Sequence, residues 1–399
     1  MKKILFVINT MGRAGAETAL LELLRALSSS DVEISLYVLT GQGEMIEQLP
    51  DNVKLLNKKY YNCSVFTAEG KRRLLKTSLA SLFRRANIIR LFPYLVKNFF
   101  VMLGKKQVYV DKLLWRVLSQ GADFFEEQYD LAVAYIEGGS SYYVADHVNA
   151  KKKVAFFHTN YERAGYTRAL DLDCYLKYDK IFPISEDGME NFLKYYPECK
   201  DNTEIFNNII NRDRILELSK QNGGFSDEYH GYRILSVGRL VALKEFHQSI
   251  RAMKLIKDKG IDAKWYILGE GELREELEAL IKELDLCNDF FLLGAKDNPY
   301  VYMAQSDIYV HATRYEGRSI AIQEAQVLGC PILVSNVNGN RELVIHGKDG
   351  LICELTPEEI CENVVWMFEH KDKAKEFGVA ASNRHKNENT EINKLLSLI

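Results

Sequence analysis

The sequence predicts an α/β protein with two doubly wound domains. Apolar runs typical of buried strands end in glycine-bearing loops and lead into helices, first from Ile4 to Leu27 and again from Tyr232 to Ile256. The chain has 399 residues, enough for two domains of ordinary size. A polar, Gly-rich stretch at 221–230 separates the two series and is typical of a linker. In such folds, ligands bind at the carboxyl ends of the strands.

Composition narrows the classes of function. The chain is 47% hydrophobic and 27% charged with a net charge of −3, which gives no global electrostatic case for nucleic-acid binding. Seven scattered cysteines without C-x-x-C spacing favour a reducing cytoplasm over a disulfide framework or a zinc site. No apolar run reaches about 18 residues, and residues 1–8 are too short for a signal peptide. We therefore expect a soluble or peripheral protein.

Two features of the first half lie at predicted strand ends. Gly15 lies in the small-residue loop after the first strand, where a glycine lets backbone approach a ligand, although a plain tight turn explains the loop equally well. His158 ends the predicted strand that begins at Lys153, which places it at the rim of a cleft. A structural histidine is the alternative for His158.

Residues 71–118 combine positive charge with apolar side chains. Twelve Lys and Arg residues stand against the single acid Asp111, a net of +11, among interleaved Leu, Ile and Phe residues. Basic amphipathic helices with aromatic residues bind anionic bilayers, so this segment predicts docking on an anionic membrane surface. The alternative is a pair of surface helices with a solvated basic face. Nucleic acid is a weaker third possibility, because no recognition motif accompanies the charges.

The second half repeats the strand, loop and helix order with more charge in the loops. Gly238, Arg239 and Lys244 follow the strand that begins at Tyr232, and two cations five residues apart can converge on one diphosphate. An ordinary charged loop is the alternative. Gly269 and Gly294 end the next two predicted strands.

The stretch from Arg314 to Ser335 carries the most chemistry. Glu316 and Gly317 form a turn with Arg318 and Ser319 before a helix, and Glu324 lies along that helix. A carboxylate at a helix entrance, beside bare backbone N–H groups, suits a ligand with both hydroxyls and phosphates. The alternative is that Glu316 caps the helix and Glu324 is a solvated helix residue.

These motifs resemble those of the retaining nucleotide-sugar glycosyltransferases of family 4, bacterial polysaccharide-biosynthesis type, which have the GT-B fold. Glu316 and Glu324 match the E-x7-E signature, residues 238–244 match the donor-phosphate loop G-R-L-x-x-x-K, and residues 15–17 match a G-A-E loop. The resemblance implies two Rossmann-like domains facing a central cleft. It covers nearly the whole chain but is dense only from 231 to 351.

The resemblance assigns expected roles. Arg239 and Lys244 would stabilise the leaving diphosphate, Glu316 would contact the donor sugar hydroxyls and Glu324 the ribose. His158 would face the donor sugar or the acceptor. The wider set of expected donor contacts is Gly15, Gly238, Arg239, Lys244, Gly269, Gly294, Glu316, Gly317, Arg318, Ser319 and Glu324.

Three departures from the family pattern limit what is carried over. Ala14 replaces a glycine of the first loop, which is minor because residues 15–17 are intact. Asn160 stands where the subgroup has an aspartate, so no general-base role accompanies it. His311-Ala312 stands at about the family's usual Pro-Ser, which bears on the identity of the donor sugar and not on the class of reaction.

The implied activity is metal-independent transfer of a sugar, with retention, from a nucleotide diphosphate donor to a lipid-linked glycan. Uridine diphosphate (UDP) is the expected nucleotide of the donor. The expected product is a capsule, an exopolysaccharide or another cell-surface glycan. No cofactor is expected beyond the donor itself, and no D-x-D pair follows a strand. The expected location is the cytoplasm, peripherally on the inner face of the cell membrane, where closure of the domains would exclude water.

The predicted domains are 1–220 for the acceptor, 221–380 for the donor, and 381–399 as a C-terminal helix that packs back on the first domain. Two other functions stay open. A nucleotide-sugar epimerase could share the fold, and a catalytically silent partner could stabilise another transferase. The sequence leaves the oligomeric state undetermined.

Overall fold

The computed structural model describes residues 1–65, 67–104, 109–385 and 390–399. Its strands are, in chain order, β1 Lys2–Ile8, β2 Val32–Val38, β3 Val53–Leu55, β4 Tyr129–Ala134, β5 Ala150–Phe157, β6 Lys180–Pro183, β7 Tyr232–Val237, β8 Ala263–Leu268, β9 Phe290–Leu292, β10 Ile308–His311, β11 Ile332–Ser335 and β12 Leu351–Cys353. Its helices are α1 Gly15–Leu27, α2 Ala68–Phe83, α3 Asn87–Gly104, α4 Val110–Gly121, α5 Gly139–His147, α6 Arg168–Asp171, α7 Glu186–Tyr195, α8 Arg212–Leu218, α9 Phe246–Asp258, α10 Arg274–Glu283, α11 Tyr300–Ala304, α12 Ile320–Val327, α13 Asn338–Leu343, α14 Pro357–Glu369, α15 Lys371–Asn383 and α16 Glu391–Leu396.

The chain divides into two compact units. Unit 1 comprises Met1–Ile209 with Asn389–Ile399, and unit 2 comprises Ile210–Glu388. The sequence predicts a boundary after residue 220, but α8 packs against α11 and α12 and therefore lies in unit 2. One hydrogen bond that holds it there runs from Asn298 Nδ2 to the Leu218 carbonyl oxygen at 2.8 Å. The last helix, α16, lies in unit 1, while α15 lies in unit 2.

Unit 1 is a parallel sheet with the strand order β3-β2-β1-β4-β5-β6. Strand β1 pairs with β2 over its whole length, from Lys2 opposite Val32 to Ile8 opposite Val38. Residues 4–8 of β1, 131–134 of β4 and 154–157 of β5 are apolar and buried, as a sheet covered by helices on both faces requires. The strand order reverses between β1 and β4, which is the point where ligands bind in sheets of this kind.

Unit 2 repeats the plan with the order β12-β11-β10-β7-β8-β9, and its strand pairs are parallel. Its order reverses between β7 and β10, where Ile234 lies opposite Ile308. The core on one face includes the fully buried Trp265, whose indole N–H donates to Ser236 Oγ at 3.1 Å. Two doubly wound α/β units are therefore present, as the sequence predicts.

The segment 71–118 falls on α2, α3 and α4. Residues 105–108, which include Lys105 and Lys106 of the predicted basic segment, lie outside the described residues. Among the described helices, no single one is long and apolar enough to cross a membrane. Helices α2 and α3 meet that criterion only when taken together, by length and composition, across a 109° bend.

Two of the predicted basic-face cations are not surface charges. The guanidinium of Arg116 is 1% exposed, donates to Asp146 Oδ2 at 2.8 Å and lies 3.8 Å from the ring centroid of Tyr142. Lys112 forms a 2.8 Å ion pair with Asp111 and lies over a tyrosine ring. The sequence could not separate these residues from the exposed cations, because both kinds occur in one segment of interleaved cations and apolar residues.

Candidate functional site

The loop after β7 presents Lys244 at the carboxyl edge of the unit 2 sheet. Backbone hydrogen bonds fix this loop: the Gly238 N–H donates to the Leu268 carbonyl and the Leu240 N–H to the Glu270 carbonyl, each at 3.0 Å. A 3-10 turn at Ala242–Lys244 then leads into α9. The Lys244 side chain crosses Gly238, because a Cβ added to that glycine would lie 3.5 Å from Lys244 Cε. The loop therefore directs the ammonium group towards the point where the strand order reverses.

A second loop, after β10, is tied to the first by its backbone. The Leu243 carbonyl accepts hydrogen bonds from the Arg314 N–H at 3.0 Å and from the Thr313 hydroxyl at 2.9 Å. Thr313 is held in turn by Ser335, whose Oγ accepts from the Thr313 N–H at 2.9 Å and donates to its carbonyl at 2.7 Å. These bonds fix the distance between Lys244 and the turn that carries Glu316.

Lys244, His311 and Glu316 form one polar cluster. The Lys244 ammonium donates to Glu316 Oε2 at 2.5 Å, and His311 Nε2 lies 2.7 Å from the same oxygen. Lys244 Nζ and His311 Nε2 are 3.4 Å apart. The Lys244 and Glu316 side chains are each 18% exposed, so the pair is partly shielded from water yet open at one side.

The charges in this cluster oppose the effect of burial. Burial disfavours the ionised form of Glu316, but the charge of Lys244 and hydrogen bonds from His311 and Lys244 outweigh it and hold the pKa of the carboxyl well below its ordinary value. Burial and then the positive charge of Lys244 lower the pKa of His311, against the opposing effect of Glu316. At neutral pH Glu316 is therefore a carboxylate and His311 a neutral imidazole.

Glu324 is a buried residue of α12 and not a solvated one. Its side chain is 7% exposed, and its Oε1 accepts a hydrogen bond from the Tyr300 hydroxyl at 2.7 Å. The helix begins at Ile320 and is capped by the Ser319 hydroxyl, which accepts from the Ile322 N–H at 3.5 Å. Ser319 rather than Glu316 is therefore the cap. The alternative that Glu316 caps the helix and Glu324 is a solvated helix residue is wrong for both carboxylates.

Two more of the expected donor contacts, Gly269 and Arg239, lie against or within the loop of Lys244. Gly269 faces the loop of Lys244 directly, since a Cβ there would lie 1.9 Å from the Gly238 carbonyl oxygen, and its N–H donates to the Gly294 carbonyl at 3.0 Å. Arg239 has an exposed side chain in the same loop. The convergence of Arg239 with Lys244 on one ligand stays a prediction.

The turn at Gly317 is packed against α13. A Cβ at Gly339 would lie 1.7 Å from the Gly317 carbonyl oxygen, so only glycine fits at 339. Next to this turn, Arg318 Nη1 lies 3.7 Å from Oε2 of Glu342, which is near the C-terminal end of α13. The backbone that positions Glu316 is therefore set by close packing as well as by hydrogen bonds.

The expected site residues of unit 1 lie at that unit's own strand ends. Gly15 is the first residue of α1, and a Cβ there would meet nothing within 4 Å. His158 follows β5, and burial lowers the pKa of its imidazole against the opposing charge of Glu137. Glu137 binds the backbone beside it, accepting from the His158 N–H at 3.0 Å and from the Thr159 hydroxyl at 2.6 Å. The roles of Gly15 and His158 stay predictions.

In the part of the chain that the structure describes, no group of three or more His, Cys, Asp or Glu side chains is placed to hold a metal ion.

Residues 226–384 match the family model described as "Glycosyl transferases group 1". This range includes the loop of Lys244 and the turn of Glu316, and it lies within unit 2.

Curated relatives are similar over part of the chain. The chain is 35% identical over 185 residues to the N-acetylgalactosamine-N,N'-diacetylbacillosaminyl-diphospho-undecaprenol 4-alpha-N-acetylgalactosaminyltransferase of Campylobacter jejuni. The aligned residues cover 46% of this chain and 49% of that protein. The chain is 35% identical over 122 residues to the UDP-Gal:alpha-D-GlcNAc-diphosphoundecaprenol alpha-1,3-galactosyltransferase of Escherichia coli, covering 30% of this chain and 32% of that protein. The matches thus span about half or less of these relatives' length.

A solved structure resembles the chain over its whole length. The crystal structure of Anabaena HepE in complex with UDP matches with a TM-score of 0.67 and 16% identity, covering 100% of this chain and 98% of that one. At this identity the likeness concerns the fold alone. The predicted GT-B fold class, with two Rossmann-like domains, is confirmed.

Several residues of the site are absent from the sequence-based prediction. His311 and Tyr300 bind the two carboxylates, and Thr313 ties the two loops together. His311 carried a usable signal, because it is a polar residue at the end of a buried strand five residues before Glu316. Tyr300 and Thr313 carried none, since their contacts depend on how separate loops fold together.

Proposed function

We propose that this chain is a glycosyltransferase that moves a sugar from a nucleotide diphosphate donor to an acceptor. The observation that carries the proposal is the contact of Lys244 with Glu316 at the point where the unit 2 strand order reverses. An ammonium group suits a diphosphate and a carboxylate suits sugar hydroxyls, so the pair matches both ends of such a donor. The family model that spans both residues supports the same class of reaction.

The proposed chemistry uses these charges in the transition state. The bond between the sugar's anomeric carbon and the diphosphate breaks, a bond to the acceptor oxygen forms, and the acceptor's proton leaves to the departing phosphate oxygen. Lys244, with Arg239 from the same loop, stabilises the negative charge that develops on that diphosphate. Glu316 accepts hydrogen bonds from the donor sugar, and Glu324, buried beside Tyr300, accepts from the ribose.

We further propose retention of the anomeric configuration, as in family 4, and a UDP-sugar donor without a catalytic metal. The names of both curated relatives specify an alpha linkage, and one specifies UDP-Gal. The proposed acceptor is a lipid-linked glycan of a capsule, an exopolysaccharide or another bacterial surface polymer. It is supported by the diphospho-undecaprenol in both relatives' names.

We propose that the protein acts at the inner face of the cell membrane and docks there through α2 and α3. Their large exposed apolar side chains are Leu75, Leu79, Phe83, Ile88, Ile89, Phe92, Val96, Phe99, Phe100, Val101 and Leu103. Exposed cations lie among them, namely Lys71, Arg72, Lys76, Arg84, Arg90 and Lys97. Apolar side chains together with cations favour an anionic bilayer over plain solvation. This surface is smaller than the predicted segment, because Lys112 and Arg116 do not belong to it.

A donor screen tests the proposal. The protein is incubated with a panel of nucleotide sugars, with and without lipid-linked glycan acceptors, and nucleotide release and sugar products are measured. Release that depends on the acceptor supports transfer. Conversion of the donor without an acceptor would support an epimerase, and the absence of turnover with the full panel would support a silent partner. The anomeric configuration of the product tests retention separately.

A further inference from the structure

The imidazole of His311 lies inside the charged pair of the proposed donor site. The residue ends β10 and is 5% exposed. Its Nε2 is 2.7 Å from Glu316 Oε2, and Lys244 Nζ reaches the same oxygen at 2.5 Å. Glu316 Oε2 therefore accepts hydrogen bonds from two donors. One is the charged ammonium on the flexible side chain of Lys244, and the other is the uncharged ring of the buried His311.

The proton positions on His311 follow from its two neighbours. The Glu316 carboxylate can only accept, so Nε2 of the neutral ring carries the hydrogen that is donated to it. Nδ1 is then an acceptor, and the Tyr309 hydroxyl lies 3.3 Å from it. Burial raises the pKa of the Tyr309 phenol well above its ordinary value, so the hydroxyl keeps the proton that it donates to Nδ1.

We propose that His311 is a positioning residue that keeps the Glu316 carboxylate in place when Lys244 turns from it to the donor diphosphate. The inference rests on the proposed function, because it takes the diphosphate as the ligand of Lys244. A Lys side chain can rotate between two anions, whereas the His311 ring is held by burial and by Tyr309. Without His311, the departure of Lys244 would leave Glu316 without either of these two donors.

Donor binding then changes the charge around His311. In the free protein, burial and the charge of Lys244 lower the pKa of the imidazole, and Glu316 opposes them. When Lys244 turns to the diphosphate, its repulsion weakens while the attraction of Glu316 stays, so the pKa of His311 rises. The charged groups that face the ring are Lys244 from the 3-10 turn and Glu316 from the loop before α12, and Tyr309 on its own strand stays protonated. Binding of the donor should therefore take up protons.

The experiment measures this proton uptake by titration calorimetry. UDP-glucose, UDP-galactose and their N-acetyl forms are titrated into the protein at about pH 6.5, the ordinary pKa of histidine. Each titration is repeated in two buffers with different ionisation enthalpies, and the difference in heat gives the number of protons bound. UDP-sugars suit this test because their diphosphate does not itself titrate near neutral pH.

Three proteins are compared: the wild type, His311→Gln and His247→Gln. His247 is a matched control because it lies on α9 of the same unit and forms a surface contact with Glu276. We expect proton uptake in the wild type and in His247→Gln, and none in His311→Gln. We also expect His311→Gln to bind the best UDP-sugar at least ~10-fold more weakly, on the scale of one hydrogen bond to a charged group. Its affinity for UDP should change less than ~3-fold, because UDP has no donor sugar for Glu316 to contact.

Equal proton uptake in the wild type and in His311→Gln would overturn the inference and leave the proposed function intact. Failure of the wild type to bind any nucleotide sugar or UDP would instead overturn the proposed function and the inference together. If His311→Gln does not fold, the histidine NMR signals of the wild type give the same answer. The His311 ring should change from the neutral Nε2–H form to the imidazolium when the UDP-sugar is added, and an unchanged ring would contradict the inference.

Discussion

Lys244 Nζ lies 2.5 Å from Glu316 Oε2 although the two residues are 72 positions apart in the chain. The contact joins the loops that follow β7 and β10, the strands between which the order of the unit 2 sheet reverses. The Leu243 carbonyl, bound by Thr313 and Arg314, fixes the distance between these loops. The pair is thus a consequence of sheet topology and of a few backbone hydrogen bonds.

Replacement of Lys244 by alanine should abolish most of the transferase activity. We expect a loss of at least ~100-fold in kcat/KM, the scale observed when one transition-state donor is removed. Lys254→Ala is the matched control, because Lys254 lies on the exposed face of α9, where it pairs with Asp258, and its loss should leave the rate unchanged. Full activity in Lys244→Ala, with an unchanged melting temperature, would discredit the phosphate assignment.

Removal of the Tyr300 hydroxyl should weaken nucleotide binding through Glu324. In Tyr300→Phe the Oε1 atom of Glu324 loses the 2.7 Å hydrogen bond that orients it. Since a hydrogen bond to a charged group contributes about 1.5–3 kcal/mol, we expect the Kd for UDP to rise by about 10-fold or more. Tyr302→Phe, on the same helix, is the control. Equal affinities in the two variants would show that Tyr300 does not act through Glu324.

Neutralisation of exposed cations on α2 and α3 should release the protein from anionic vesicles. We expect a variant with Arg72, Lys76, Arg90 and Lys97 changed to Gln to float poorly with anionic liposomes, since each cation near the surface contributes about 1 kcal/mol. The comparison is Arg116→Met, which removes a buried cation instead. That variant should lose stability, because the buried hydrogen bonds from Arg116 to Asp146 and to the Asp171 carbonyl are lost, but any folded fraction should still float. Unchanged flotation of the four-site variant would assign this face to solvent.

A buried carboxyl in unit 1 should make stability depend on pH. Asp171 is fully buried and accepts hydrogen bonds from Tyr142 and Tyr161, and burial raises the pKa of its carboxyl from 3.8 to about 6. The folded protein therefore holds this proton more tightly than the unfolded chain. Its contribution to stability is complete below pH 3.8 and is lost as the pH rises through about 6.

Asp171→Asn should remove this dependence. The free energy of unfolding of the wild type, relative to the variant, should fall by about 2 kcal/mol between pH 4 and pH 7, on the basis of 1.36 kcal/mol per pKa unit. Asp173→Asn is the control, since its carboxylate is exposed in an ion pair with Arg168. Denaturant unfolding at a series of pH values measures the difference. Parallel pH profiles for the wild type and Asp171→Asn would contradict the assignment.

The fold and the main residues of the site were predictable because they follow local rules. Buried strands, glycine-bearing loops and helix stop signals recur along the chain, and they place Lys244 and Glu316 in loops at strand ends. Such patterns are blind to contacts between distant loops. The roles of Tyr300, Thr313 and His311 depend on those contacts, and so they appear only in the folded structure.

Burial of polar groups was the other feature beyond the reach of the sequence. Arg116 belongs in the sequence to the same basic segment as the exposed cations of α2 and α3, yet it is buried against Asp146 and the backbone carbonyl of Asp171. In the sequence, Glu324 likewise resembles a solvated helix residue. In the structure it is buried and accepts a hydrogen bond from the Tyr300 hydroxyl. Helix α8 was predicted to belong to the first domain because the polar stretch after it is typical of a linker, whereas its packing places it in unit 2.

The most direct test of the account is a structure of the protein with a bound UDP-sugar. The account predicts Lys244 Nζ within about 3.2 Å of a diphosphate oxygen, and a carboxylate oxygen of Glu316 within the same distance of a sugar hydroxyl. A diphosphate bound away from the loops that follow β7 and β10 would contradict it.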